Sequence, residues 1–183
     1  MTHIKIISCC FLILSGSAVQ AQKKFTTNQG EMSFTSNAKL EVIKATSDKI
    51  QGIIDPTNRQ FAFLVKILSF QGFNSELQRD HFNEKYMESE KYYDATFTGT
   101  IIEQIDFTKE GVYNVRTKGT LIVHGKKQAR IIPAKIKIEK NTLKIECDFT
   151  VPLADHDIKI PQVVNEKIAT EIFVKLNVLL VQK

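Results

Sequence analysis

From Met32 to Leu180 the chain repeatedly places apolar residues at every second position. Met32 and Phe34 begin the pattern. Ile50, Gly52 and Ile54 follow, then Phe61, Phe63, Val65 and Ile67, with Gln60 and Lys66 on the opposite parity. Tyr113, Val115, Thr117, Gly119, Leu121 and Val123 form another series. Ile132, Ala134, Ile136 and Ile138 alternate with Lys135, Lys137 and Glu139. Leu143, Ile145, Cys147, Phe149 and Val151 come next, and Ile172, Val174, Leu176, Val178 and Leu180 close the set, although Phe173 and Leu179 interrupt the polar parity there. Side chains alternate between faces along a strand, so a period of two specifies strands with one apolar and one wet face. Such strands must bury their apolar faces against one another. Turn-forming stretches punctuate them at Asp55-Pro56-Thr57-Asn58, His124-Gly125-Lys126-Lys127 and Asn141-Thr142, the last making a hairpin of the two clearest strands.

Only two segments favour a helix. Ser75-Glu76-Leu77-Gln78 has the form of a capping box, in which the Ser75 hydroxyl accepts from the amide three residues on and Gln78 reaches back. Leu77, His81, Phe82 and Tyr86 then fall at helical spacing, which predicts a helix over residues 76–85. The second candidate covers residues 162–170, where Pro161 suits a helix start and Val164, Ile168 and Ala169 share a face. Many strands, short turns and no alternation of strand with helix predict an all-β domain with one or two short helices, built as an antiparallel sandwich or barrel. No internal repeat, linker or low-complexity segment divides it.

The first residues read as an export signal. Lys5 precedes the apolar stretch Ile6 to Leu14, and small residues lead to a cut after Ala21, so the expected organisation is a signal over 1–21 and one domain over 22–183. Ile6-Ile7-Ser8-Cys9 faintly resembles a lipoprotein box, but the apolar run continues past Cys9, the wrong order for cleavage there. No later stretch is apolar for the roughly 20 residues of a spanning helix, so no stable membrane insertion is expected. Cys9 and Cys10 leave with the signal. Cys147 then has no internal partner, and its place in an alternating strand reads as a packed, inert thiol.

The net charge of +5 is spread along the sequence, apart from short pairs such as Lys23-Lys24. A nucleic-acid binder concentrates basic residues beside stacking aromatics, and no such patch is present. His81 with Glu84, and Asp155-His156-Asp157, contain metal-ligating types, but neither has the multi-histidine spacing of a strong site, and no metal is expected. No nucleophile motif or phosphate-cradling loop appears, so no catalytic residue is assigned.

The block His81-Phe82-Asn83-Glu84, Tyr86-Met87-Glu88-Ser89 and Ala95-Thr96-Phe97-Thr98-Gly99 resembles the middle of YceI-like proteins. Similar stretches are Met32-Ser33-Phe34-Thr35-Ser36, Gly52-Ile53-Ile54-Asp55, the Gly119 to Lys126 strand and turn, and Asp157-Ile158-Lys159-Ile160-Pro161. The sequence departs from the family in having Tyr92-Tyr93 where a proline is common, and in lacking tryptophan. The resemblance implies a secreted, periplasmic, lipocalin-like antiparallel β-barrel of about eight strands. It further implies a pore that encloses an isoprenoid lipid or a quinone-like amphiphile for carriage or sequestration, without catalysis or another cofactor.

Parity alone leaves two readings open, because a barrel of this size either fills its interior with side chains or holds one small ligand. A filled barrel would act as a structural or interaction module. In the ligand reading, the pore is lined by Phe61, Phe63, Phe97, Phe149 and Leu176, and a helix carrying Phe82, Tyr86 and Met87 covers the barrel. A register slip of one residue would turn all five pore residues outward. The apolar last strand also offers an edge for a homodimer.

Overall fold

The structure, a computed structural model, describes residues 23–183. The segment read as an export signal lies outside them. Ten strands run in the order β1 (Phe25–Thr27), β2 (Glu31–Asn37), β3 (Val42–Ser47), β4 (Ile50–Asp55), β5 (Gln60–Lys66), β6 (Asp94–Ile101), β7 (Gly111–Val123), β8 (Lys126–Glu139), β9 (Thr142–Pro152) and β10 (Glu171–Gln182). A short helix, α1 (Glu76–His81), lies between β5 and β6. All strand pairings are antiparallel.

The sheet closes on itself with eight walls. β1 and β2 act as the two halves of one bent strand: β2 pairs with the start of β10 and with β3, while β1 pairs with the end of β10 and with β4. β3 and β4 likewise make one bent wall. From there β5 to β10 follow in sequence order. Closure leaves β10 paired along both edges, with β9 on one side and β1 and β2 on the other. The edge expected there for a homodimer is therefore absent, because barrel closure uses it.

The alternating series all point inward. Ile50, Ile54, Phe61, Ile136, Leu143 and Leu180 are buried, whereas Lys66, Lys135, Lys137, Lys144 and Lys175 are exposed. Gly99 on β6 faces Gly119 on β7, and a Cβ at either would collide with the carbonyl of the facing strand. Two glycines in register let the strands approach there.

Two turns are displaced by a residue or two from the sequence expectation. The β7–β8 loop is only His124-Gly125, both with positive φ (50° and 71°), so Lys126 and Lys127 already belong to β8. This is the backbone of the two-residue hairpin turn, whose twist matches the strands. Likewise Lys140-Asn141, with Lys140 at φ 47°, makes the β8–β9 turn, and Thr142 opens β9.

The helix expectations also need correction. Ser75 caps α1, its Oγ accepting from the Gln78 amide at 3.2 Å, and Gln78 Oε1 accepts from the Asn74 amide at 3.0 Å. The α-helix nevertheless ends at His81 and continues as a wider π-helical turn over Phe82–Tyr86, closed by the Met87 amide donating to the Phe82 carbonyl at 2.9 Å. The wider i→i+5 turn brings Met87 beneath Phe82, so that Phe82, Tyr86 and Met87 can all face the barrel. Residues 162–170 form no α-helix. A single 3-10 turn spans Gln162–Val164, and turn-type bonds to the Val164 carbonyl follow. With Val163 fully out in solvent, the segment has too little apolar face to repay helix nucleation.

Candidate functional site

The connections between strands alternate between the two ends of the barrel. At one end, Phe25, Phe107, Ile138, Leu143 and Leu180 are all at most 8% exposed and pack into a floor, with the Phe25 and Phe107 rings 6.1 Å apart. Paired backbone bonds between Lys24 and Lys183 (3.0 and 2.8 Å) fasten β1 to the end of β10 beneath it. The other end carries the long connections, residues 67–93 and 153–170, and the β2–β3 hairpin tip.

Between floor and far end lies a cavity of about 460 Å³ with almost wholly apolar walls. Phe61, Phe63, Phe97, Phe149 and Leu176, the five residues assigned from parity, all line it, as do Phe82, Tyr86 and Met87 from the helical segment. Phe61 anchors a cluster, its ring 5.0 Å from Phe97 and 6.1 Å from Phe63. Phe63 in turn lies across Gly52, where any Cβ would strike the ring. Small residues, Ala95 and Ala134, leave room between the large ones.

The cavity reaches the surface at the far end, where its lining includes the exposed residues Ser75, Leu77 and Lys167 beside Glu41, Gln78 and His81. Glu41 ties this mouth together by accepting from Gln78 Nε2 at 3.0 Å and Asn74 Nδ2 at 3.3 Å. The Leu40 amide donates to the Glu166 carbonyl, and Lys39 pairs with the Glu166 side chain, both at 2.9 Å.

Several lining residues escaped the sequence reading, Ile43, Leu64, Ile101 and Leu153 among them, and two aromatics matter most. Phe70 and Phe73 sit in the irregular stretch before α1 and pack with Phe34 and Phe82, ring centroids 5.1 to 6.1 Å apart. This four-ring cluster fastens the helical segment to β2. No periodicity marks Phe70 and Phe73; the only available signal is two aromatics in an otherwise polar loop.

The wall is incompletely laddered between β8 and β9, whose pairing stops at Lys135 and Glu146. Pro133 lies two residues beyond on β8 and has no amide to donate. Arg130 crosses the gap instead, donating to the Thr150 carbonyl and lying 3.5 Å from Asp155. Cys147 and Phe149 flank the gap on β9 and line the cavity. Burial pushes the Cys147 thiol up to about 12, with the neighbouring Asp148 charge adding to the effect.

The candidate metal-ligating residues are dispersed. Asp157 pairs with Lys126, which holds its carboxyl below the usual range, and Asp155 faces Arg130. His156 between them is fully buried: its Nδ1 donates to the Val123 carbonyl at 3.2 Å, and its Nε2 has no partner. Burial pushes its pKa below the ordinary value. The His156 carbonyl accepts from His124 Nδ1 at 3.0 Å, and His124 Nε2 lies 2.7 Å from Glu88, so this cluster pins the loop after the helical turn to the β7–β8 hairpin. Glu84 is exposed and does not line the cavity, whereas His81 does, at the mouth. Among the described residues no three metal-ligating side chains converge, and no helix is long and apolar enough to cross a membrane.

A closed antiparallel barrel with a floor at one end and an apolar cavity opening at the other defines a lipocalin-like architecture. The model of the YceI-like domain matches residues 17–180, and the chain belongs to that family. Similar solved structures agree on the fold. A polyisoprenoid-binding domain from Saccharophagus degradans, implicated in plant cell wall breakdown, superposes with a TM-score of 0.74 at 15% identity, covering 87% of this chain and 98% of that one. BcnA of Burkholderia cenocepacia gives 0.68 at 14% identity, over 82% and 95% of the two chains. The Campylobacter jejuni YCEI protein gives 0.53 at 14% identity, over 100% and 99%. No curated protein matches the sequence.

Proposed function

We propose that this protein encloses one isoprenoid or quinone-like amphiphile in its barrel, tail toward the floor and polar end at the mouth, for carriage or sequestration outside the cytoplasm. The observation that carries this reading is the continuous apolar cavity of about 460 Å³, open at one end only. Its size falls in the range of roughly 300–1,000 Å³ common for small-molecule sites. A merely structural barrel would be more stable with that space filled, since unfilled volume forfeits packing contacts.

The chemistry needed is minimal. Each buried methylene contributes about 0.8 kcal/mol, so one five-carbon isoprene unit contributes roughly 4 kcal/mol. Apolar walls therefore bind a prenyl chain without charges or a catalytic group, and this reading assigns none. The polyisoprenoid binding described for the Saccharophagus degradans domain of the same fold supports the choice of ligand class. The export signal expected at the N-terminus supports a periplasmic location.

A series of prenyl alcohols tests the reading by calorimetry. Affinity should rise steeply with each added isoprene unit and then level off once the tail meets the floor packed around Phe25 and Phe107. Affinity independent of chain length, or no binding by any member, would rule it out.

A further inference from the structure

The apolar residues left in solvent are unevenly placed. Val163 is 88% exposed, and Leu40, Leu68, Leu77 and Tyr93 are between 61% and 64% exposed; no other large hydrophobic among the described residues reaches that level. All five lie on connections at the mouth end: Leu40 between β2 and β3, Leu68, Leu77 and Tyr93 between β5 and β6, and Val163 between β9 and β10. The connections at the floor end offer only Ile102, exposed at 37%, although Val112 and Val181 on the strand ends there are exposed at 54% and 44%. Single exposed hydrophobics are ordinary, but five gathered from three separate connections around one opening mark an interaction surface.

Its chemistry points to one occupant. The apolar surface is continuous with the cavity, because Leu77, Val164 and Ile168 at the rim also line its interior. A tail leaving a bilayer through this rim would pass from one apolar medium to another without crossing water. Tyr93 suits the headgroup level, where an aromatic ring with a polar end is favoured. The connections at this end carry nine acidic against six basic side chains, although the whole chain carries +5. Asp155 and Asp157 are moreover paired with Arg130 and Lys126, so this end has no excess of positive charge to attract an anionic surface.

We propose that the mouth end docks by its apolar rim on the surface of a zwitterionic lipid bilayer and loads the cavity directly from it, an inference that rests on the lipid-enclosure reading. The rim only touches the interface, as a peripheral protein does. Leu40, Leu68 and Val163 serve docking alone, since none of them lines the cavity.

Flotation with phosphatidylcholine vesicles tests this. The wild-type protein should float with the vesicles, raised salt should leave binding unchanged, and the triple variant Leu40→Ser/Leu68→Ser/Val163→Ser should bind about tenfold more weakly or worse. Retinol, a fluorescent isoprenoid alcohol, reports cavity and fold separately: added from ethanol it should bind both proteins equally, whereas from vesicles it should reach the variant about tenfold more slowly. A wild-type protein that stays with the soluble fraction, a variant that floats like it, or binding that needs anionic lipid and vanishes in salt would each overturn the docking proposal. If the wild-type protein floats but takes no retinol from ethanol, docking stands and the enclosure reading falls.

Discussion

Ala134→Phe separates a ligand cavity from an ordinary core, because the two readings give opposite signs. Ala134 is half-buried on β8, opposite Val115, and lines the cavity beside Ile132 and Ile136. A phenylalanine there projects its ring into free space within the 460 Å³. Full burial of such a side chain contributes about 1.5–3 kcal/mol, so the ligand-free protein should gain about 1–2 kcal/mol in urea unfolding. The ring occupies roughly the space of one isoprene unit. Excluding that unit removes about 4 kcal/mol of binding, close to a thousandfold in Kd. Retinol titration and urea denaturation of the same preparations measure both quantities. A variant destabilised by about 1–3 kcal/mol with unchanged retinol affinity would show that Ala134 faces packed side chains and would refute the reasoning.

Further expectations concern groups outside the apolar lining. His156 is held neutral by burial, so the unfolded chain takes up its proton first as pH falls; stability is unaffected above about 6.5 and declines as pH drops from there toward the lowered native value. His156→Asn, whose amide can still donate to the Val123 carbonyl, should flatten that part of the curve in urea melts at stepped pH; an unchanged curve would assign the loss to other groups. Cys147, pushed up to about 12 from 9.0, should carry roughly a thousandfold less thiolate than an ordinary thiol. Its alkylation in the native protein at mildly alkaline pH should be correspondingly slow and rise on denaturation, whereas equal rates in the two states would place it in solvent.

Much of this architecture was visible in the alternation. Phe61, Phe63, Phe97, Phe149 and Leu176 face one interior because a strand leaves each residue only two directions, and seven consistent series fix which is inward. Closure was less accessible: nothing local in β1 to β4 announces that two bent walls replace four short strands, since that depends on how far β10 extends past each. The capping box located the start of α1 but not its change to a π-helical turn, which arises from docking Phe82 and Met87 against the barrel. Pro133 was in plain view, yet its consequence, a ladder gap bridged by Arg130, needs the neighbouring strand to be known. The rim is the hardest case. Leu40, Leu68 and Val163 belong to no periodic pattern, and only the alternation of strand connections gathers them at one end.

The central claim is that the barrel holds a lipid, and organic extraction of protein purified from its native envelope, followed by mass spectrometry, tests it most directly. One isoprenoid-containing lipid per chain is the expected result, reduced or lost in Ala134→Phe. Native protein that yields no lipid above the level of a denatured control would contradict the account and favour a barrel that serves as a scaffold.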